Sequence, residues 1–98
     1  MVMTKTQNET ALTLKLEGRL DALTSPQLEE ELNSSLDGIT DLTLDFEKVE
    51  YISSAGFRVL IIAYKLMHDK GSLKVINASS FVKEAFKLAC VDSIISVS

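Results

Sequence analysis

The sequence predicts a single α/β domain in which a small, mixed and mostly parallel β-sheet carries its helices mainly on one face. Two kinds of segment follow each other along the chain. In one kind apolar and polar residues alternate, as in a strand, and in the other apolar residues recur every three or four positions, as in a helix. Such an order favours parallel strands joined by right-handed crossovers. A chain of 98 residues can bury one core, so residues 1–98 are expected to form one domain.

Four strands are predicted from the alternation and from the turn residues that flank it. In the second strand, leucines alternate with polar side chains, which is typical of a strand with one face in the core and one in water. The predicted strands are residues 2–7, Ala11 to Glu17, Asp41 to Phe46 and Leu73 to Ile76. The last apolar side chains of the chain, Ile94, Ile95 and Val97, are expected to dock on the core.

Three helices are predicted between and after the strands. The first starts at Thr24 or Ser25, because either hydroxyl can cap a helix and Pro26 suits a first turn. The second, from about residue 54 to residue 70, is apolar on most of its circumference, which indicates a helix mostly covered by protein. The third begins at a capping Ser80 and runs to about Ala89. Its predicted inward side chains are Phe81, Ala85, Leu88 and Ala89.

Composition and charge argue against several classes of protein. Ten Lys and Arg against fourteen Asp and Glu leave a net charge of −4, which disfavours non-specific binding of nucleic acid or anionic lipid. The longest strongly apolar run, Val59 to Tyr64, is far shorter than the ~20 residues of a membrane span. A single cysteine fits a reducing compartment. We therefore expect a soluble, cytoplasmic protein that neither binds nucleic acid directly nor inserts into a membrane.

The sequence offers no catalytic or metal-binding motif. Cys90 and His68 each lack partners at ligand spacing, and Cys90 is expected to be a small core side chain. Ser54 and His68 do not suit a hydrolase, because about fourteen helical residues at 1.5 Å each would hold them ~21 Å apart. A general base must lie about 3 Å from the hydroxyl that it activates. We expect no enzymatic activity, no metal ion and no cofactor.

The segment YISSAGF, residues 51–57, is the candidate functional site. It leads from a strand into the second helix through small residues, which let another molecule approach the backbone closely. The first turn of a helix has unpaired N–H groups and a partial positive charge, so a phosphate group is favoured there. Physical chemistry alone favours a simpler interpretation, a serine cap beside a tight contact between helix and sheet.

Two separated motifs resemble the STAS-domain family and, more narrowly, bacterial anti-sigma factor antagonists. One is the run DFEKVEYISSAGFRVL, from Asp45 to Leu60. The other is GRLD, residues 18–21, followed by the segment from Thr24 to Leu32. The predicted order of strands and helices also agrees with the family fold, and the resemblance covers essentially the whole chain.

The resemblance implies roles for individual residues. In the family, the serine two positions before the glycine is phosphorylated, and here this serine is Ser54. The position before it is often aspartate and is Ser53 in this chain, while Asp21 corresponds to an acidic loop residue beside the phosphorylation site. The expected partner-binding surface consists of Asp21, Ser53, Ser54, Gly56, Phe57 and Arg58.

The resemblance also implies a mechanism. The unphosphorylated protein would bind an anti-sigma factor that is itself a serine kinase, and so free the sigma factor. The kinase would then use ATP to phosphorylate Ser54, the complex would dissociate, and a PP2C-type phosphatase would reset the switch. Two alternatives remain open: a STAS scaffold subunit of a transport or other membrane-associated complex, and a partner switch that controls a target other than a sigma factor. We expect a monomer or weak dimer.

Overall fold

A computed structural model describes all 98 residues and confirms the predicted fold class. The elements are β1 (Val2–Asn8), β2 (Ala11–Leu20), α1 (Ser25–Ser35), β3 (Asp41–Ile52), α2 (Ser54–Met67), β4 (Ser72–Ile76), α3 (Ser80–Leu88), a 3₁₀ turn (Val91–Ser93) and β5 (Ser96–Val97). The five strands lie side by side in chain order. β1 pairs with β2 in antiparallel fashion, and all later neighbours are parallel.

The core lies between one face of this sheet and the helices. Leucines and Phe46 alternate along β2 and β3 with polar residues, and only the apolar set is buried. Phe46 meets the ring of Phe86 from α3 at a centroid distance of 6.0 Å, and Leu60 of α2 and Leu44 of β3 are completely buried, as expected from their positions in the pattern. The opposite face of the sheet is polar and carries ion pairs such as Lys15 with Glu47.

β3 is longer than the predicted strand, because it continues six residues beyond Phe46 to Ile52. Its pairing with β2 extends to the last residue of both strands, where Leu20 lies opposite Ile52.

The apolar residues at the C-terminus, which were expected to dock on the core, do so only in part. Ile95 is buried and Val97 joins β5, whereas Ile94 is exposed.

The predicted inward face of α3 is wrong. Phe81 and Leu88 are 63% and 78% exposed, Ala89 is exposed and Ala85 is only half-buried, whereas Val82 and Phe86 are completely buried. α3 carries two apolar stripes, and their sequence pattern does not say which one meets the sheet. The cap is also Ser79 rather than Ser80, since the Ser79 hydroxyl accepts a hydrogen bond from the Val82 N–H.

Cys90 is not the core side chain that was expected. It is exposed, and its φ of 59° places it in the left-handed region directly after α3. This turn redirects the chain so that the next residue, Val91, enters the core instead.

The covering of α2 and the cap of α1 also differ from expectation. Leu66 is exposed, and Ile61 and Ile62 are only half-buried, so the outer side of α2 keeps an apolar surface. Neither Thr24 nor Ser25 caps α1 through its side chain. The Thr24 hydroxyl donates to the Arg19 carbonyl at 2.6 Å instead, and the buried Ser25 hydroxyl has no partner.

Candidate functional site

The site lies at the edge of the sheet where the parallel strands β2 and β3 both end. From this edge the chain leaves β2 through the loop Asp21–Thr24 and leaves β3 through Ser53. The N–H of Ser53 donates to the carbonyl of Leu20 at 2.9 Å, which holds the end of β3 beside the start of that loop. Two segments that are more than thirty residues apart in the sequence are therefore neighbours.

Gly56 lets the first turn of α2 lie directly against this edge. A Cβ atom at position 56 would lie 2.8 Å from Cγ1 of Ile52 and 2.9 Å from both Cγ and the carbonyl oxygen of Leu20. Such separations are too short for ordinary packing, so any larger side chain must push α2 away from the strands. Gly56 is itself buried and shapes the site rather than presenting a side chain to a partner.

The two serines of the segment have different surroundings. Ser53 is the N-cap, with an extended backbone, and its carbonyl accepts the N–H of Phe57 at 3.0 Å. Its hydroxyl is buried and has no hydrogen-bond partner. Ser54 is the first residue of α2 and is exposed. The hydroxyl that solvent or an enzyme can reach at the start of α2 is that of Ser54.

Asp21 organises the neighbouring loop. One of its carboxylate oxygens accepts the N–H groups of Leu23 at 3.0 Å and Thr24 at 3.2 Å. Partial removal from water raises the pKa of the Asp21 carboxyl, but the hydrogen bonds from Thr24 and Leu23, together with the Arg19 guanidinium, outweigh this and lower the pKa below its ordinary value. The loop therefore presents a carboxylate that stays ionised at neutral pH.

Two residues at this edge, Arg19 and Tyr51, lie within the two sequence motifs but were not among the residues expected to contact a partner. The Arg19 guanidinium lies over the Tyr51 ring at 4.2 Å from its centroid, and its Nε is 3.6 Å from Asp21. The two residues are opposite each other only because the register of β2 against β3 shifts twice, the second time between Gly18 and Arg19. The one sequence signal for this irregularity is Gly18, whose φ of 106° disfavours other residues.

Phe57 and Arg58 extend the site along α2. Phe57 is 9% exposed, and its ring meets the edge of Phe86 at a centroid distance of 5.1 Å. Arg58 is exposed and lies four residues after Ser54, on the same side of the helix. Of the six residues expected to contact a partner, Asp21, Ser54 and Arg58 present side chains to solvent, whereas Ser53, Gly56 and Phe57 form the support beneath them.

No group of three or more His, Cys, Asp or Glu side chains in the structure could hold a metal ion. The fold also contains no helix whose length and hydropathy together would suffice to cross a membrane.

A comparison of sequences shows the family. The profile of the STAS domain matches residues 2–98, so the chain belongs to the STAS domain family. BtrV of Bordetella bronchiseptica, which is named as a candidate anti-sigma factor antagonist, is 36% identical to the chain in an 84-residue alignment that covers 84% of this chain and 72% of BtrV.

Solved structures agree with this assignment. An anti-sigma factor antagonist from Mycobacterium paratuberculosis is similar at a TM-score of 0.88 and 18% identity, over 98% of this chain and 83% of that one. Bacillus SpoIIAA in its phosphorylated form is similar at a TM-score of 0.76 and 14% identity, and the match covers 99% of this chain and 91% of SpoIIAA. For the anti-sigma factor antagonist SpoIIAA in its unphosphorylated form the TM-score is 0.74 and the identity 15%, over 89% of this chain and 83% of SpoIIAA. At such identities the likeness establishes the fold.

Proposed function

We propose that this protein is an anti-sigma factor antagonist that works as a phosphorylation-controlled partner switch. In its unphosphorylated form it binds an anti-sigma factor that is also a serine kinase, and this frees the sigma factor. The kinase then phosphorylates Ser54 with ATP, the complex dissociates, and a PP2C-type phosphatase restores the starting state. The protein is a substrate and a binding partner in this cycle, it needs no cofactor, and it works in the cytoplasm as a monomer or weak dimer.

The observation that carries the proposal is the contrast between Ser53 and Ser54. Ser54 is exposed at the first position of α2, whereas the Ser53 hydroxyl is buried at the same helix end. A kinase needs direct access to the oxygen that attacks the phosphate of ATP. Accessibility therefore supports the serine that the family resemblance selects, and the named relatives BtrV and SpoIIAA support the role.

Electrostatics explain how the phosphate would act. A phosphoserine adds about −1.5 to −2 charges at neutral pH. At the first turn of α2 this charge meets unpaired N–H groups and the positive end of the helix dipole, so the fold tolerates it. A partner that packs on the same place instead meets added bulk, a charge that must be desolvated and repulsion of its own carboxylates by the phosphate, all of which weaken binding.

The test combines phosphopeptide mass spectrometry with binding measurements on the full chain and the cognate anti-sigma factor kinase. With ATP, the wild type should gain one phosphate on Ser54. Ser54→Ala should bind but remain unphosphorylated, and Ser54→Asp should keep its fold and lose most of its binding. Ser53→Ala is the matched control, which should bind and be phosphorylated like the wild type. Phosphate on Ser53, or undiminished binding by Ser54→Asp, would overturn the proposal.

A further inference from the structure

Beyond Ser54, the outer side of α2 forms one wall of an open groove of about 490 Å³, which we call the α2 groove. Ser54 lies at one end, and Arg58 and Lys65 follow along the same helix. Ala89 and Val91, from the turn after α3, form the facing wall. The groove thus begins at the proposed phosphorylation site and continues along α2 for about three turns.

The middle of the α2 groove is apolar. Ile61 and Ile62 lie between the two cations and are half-buried, so part of each aliphatic side chain faces solvent. Phe57 is held from behind by its edge-on contact with Phe86, and Val91 is 2% exposed, so this surface is supported by the core. A rigid apolar strip of this kind gains from being covered by another apolar surface.

The charges of the α2 groove are all positive. No Asp or Glu lines it, and neither Arg58 nor Lys65 takes part in any of the ion pairs of the molecule. The whole protein carries a net charge of −4, so two free cations beside an apolar strip are a local exception. Arg58 and Lys65 are seven residues apart, which corresponds to about 10.5 Å, or two turns, along α2.

We propose that the α2 groove receives an amphipathic, acidic helix of the anti-sigma factor partner. Two carboxylates two turns apart on that helix lie over Arg58 and Lys65, and the apolar residues between them cover Ile61 and Ile62. This inference rests on the proposed function and names the chemistry of its partner. A small anion would use only one of two cations separated by about 10.5 Å, whereas a helix matches both and the apolar strip between them.

The same geometry couples the groove to phosphorylation. Arg58 is four residues after Ser54, the spacing at which side chains on a helix meet. A phosphate on Ser54 pairs with the Arg58 guanidinium in a charge-assisted contact, which withdraws one of the two cations from the partner. Phosphorylation therefore weakens the partner's hold on the groove as well as on the surface around Ser54.

Charge reversal with a matched control tests the groove. Lys65→Glu and Lys74→Glu both change the net charge from −4 to −6, but Lys74 is exposed on β4, outside the groove. In titrations of the purified anti-sigma factor kinase at low salt, Lys65→Glu should weaken binding at least tenfold and Lys74→Glu less than twofold. If Lys65→Glu binds the kinase as tightly as the wild type, the proposal that the α2 groove receives the partner helix is overturned. Phosphorylation on Ser54 would still support the proposed function in that case.

A photo-crosslinker placed at Lys65 identifies the occupant directly. Mass spectrometry of the crosslinked complex should find a helical segment of the kinase with two Asp or Glu residues seven positions apart. Replacing the nearer acidic residue with Lys should restore at least part of the binding that Lys65→Glu loses. A crosslink to a basic or irregular segment would overturn the inference. If the wild type neither binds the kinase nor is phosphorylated on Ser54, both the proposed function and the proposed role of the α2 groove are overturned.

Discussion

Gly56 is the residue on which the geometry of the site depends. The first turn of α2 can lie against the ends of β2 and β3 only because position 56 has no side chain. A change at this single position is therefore expected to alter both the stability of the fold and the placement of Ser54 above the loop that carries Asp21.

Gly56→Ala should lower the free energy of unfolding by about 1–3 kcal/mol, because the added methyl group meets the Leu20 carbonyl and Ile52. Urea denaturation measures the change. Ser54→Ala, in the same turn but exposed, is the control and should stay within about 0.5 kcal/mol of the wild type. Gly56→Ala with the stability of the wild type would show that α2 does not approach the strands so closely.

Ser53 carries a buried hydroxyl without a hydrogen-bond partner. Such a group costs about 1–3 kcal/mol to bury, so Ser53→Ala should raise the free energy of unfolding by about 1 kcal/mol. Thermal and urea denaturation of the purified variant check this. A clear loss of stability would mean that the hydroxyl is hydrogen-bonded in the folded protein.

Among the helices and strands, α2 has an inner and an outer face with different roles. Its inner face, with Leu60 completely buried, fills the core against the sheet. Its outer face carries Ser54, Arg58 and the half-exposed Ile61 and Ile62. Substitutions on the inner face should change stability, and substitutions on the outer face should change binding.

Leu60→Ala should lower the free energy of unfolding by about 2–5 kcal/mol, since it leaves a cavity in the core. Leu66→Ala removes the same atoms from a side chain on the same helix that is 37% exposed, and should cost far less. Chemical denaturation of both variants compares them directly. Equal losses would contradict the assigned orientation of α2.

Arg58→Glu should weaken binding of the partner kinase several-fold without lowering the melting temperature, because Arg58 is exposed and makes no ion pair. Isothermal titration and differential scanning calorimetry separate the two effects. An unchanged affinity of Arg58→Glu for the kinase would show that Arg58 is not part of the interface.

For the whole molecule, the response to acid follows from two carboxyls. Hydrogen bonding to Ser35, opposed by partial burial and helped by Lys5, lowers the pKa of Glu31, and the pKa of Asp21 is lowered as described above. Both groups are harder to protonate in the folded chain than in the unfolded one. Their contribution to stability is therefore complete above the ordinary carboxyl pKa of about 4 and disappears as the pH falls through the lower folded values.

Urea denaturation at a series of pH values between about 6 and 3 should show this decline. Glu31→Gln should make the decline shallower, because one of the two groups no longer titrates. Glu50→Gln serves as the control, since Glu50 is exposed and makes no ion pair. A decline in Glu31→Gln as steep as that of the wild type would contradict the role given to Glu31.

Local patterns in the sequence were enough to predict the fold class, the order of the strands and helices through α3, and the start of α2 beside Ser54. Alternation along β2 and β3 and the small residues before α2 are properties of neighbouring residues, so they can be interpreted without knowing what packs on them. The residues proposed for the candidate site came instead from two short motifs that resemble those of a known family, and their role in binding stays a prediction.

Only the tertiary structure decided which side of each element is covered. α3 has two apolar stripes, and the sheet selects Val82 and Phe86 over Phe81 and Leu88. Contacts between distant segments also bury the Ser53 hydroxyl and set Arg19 over Tyr51. Such outcomes depend on strand register and on the packing of one element against another, and neither is encoded within a single segment of the chain.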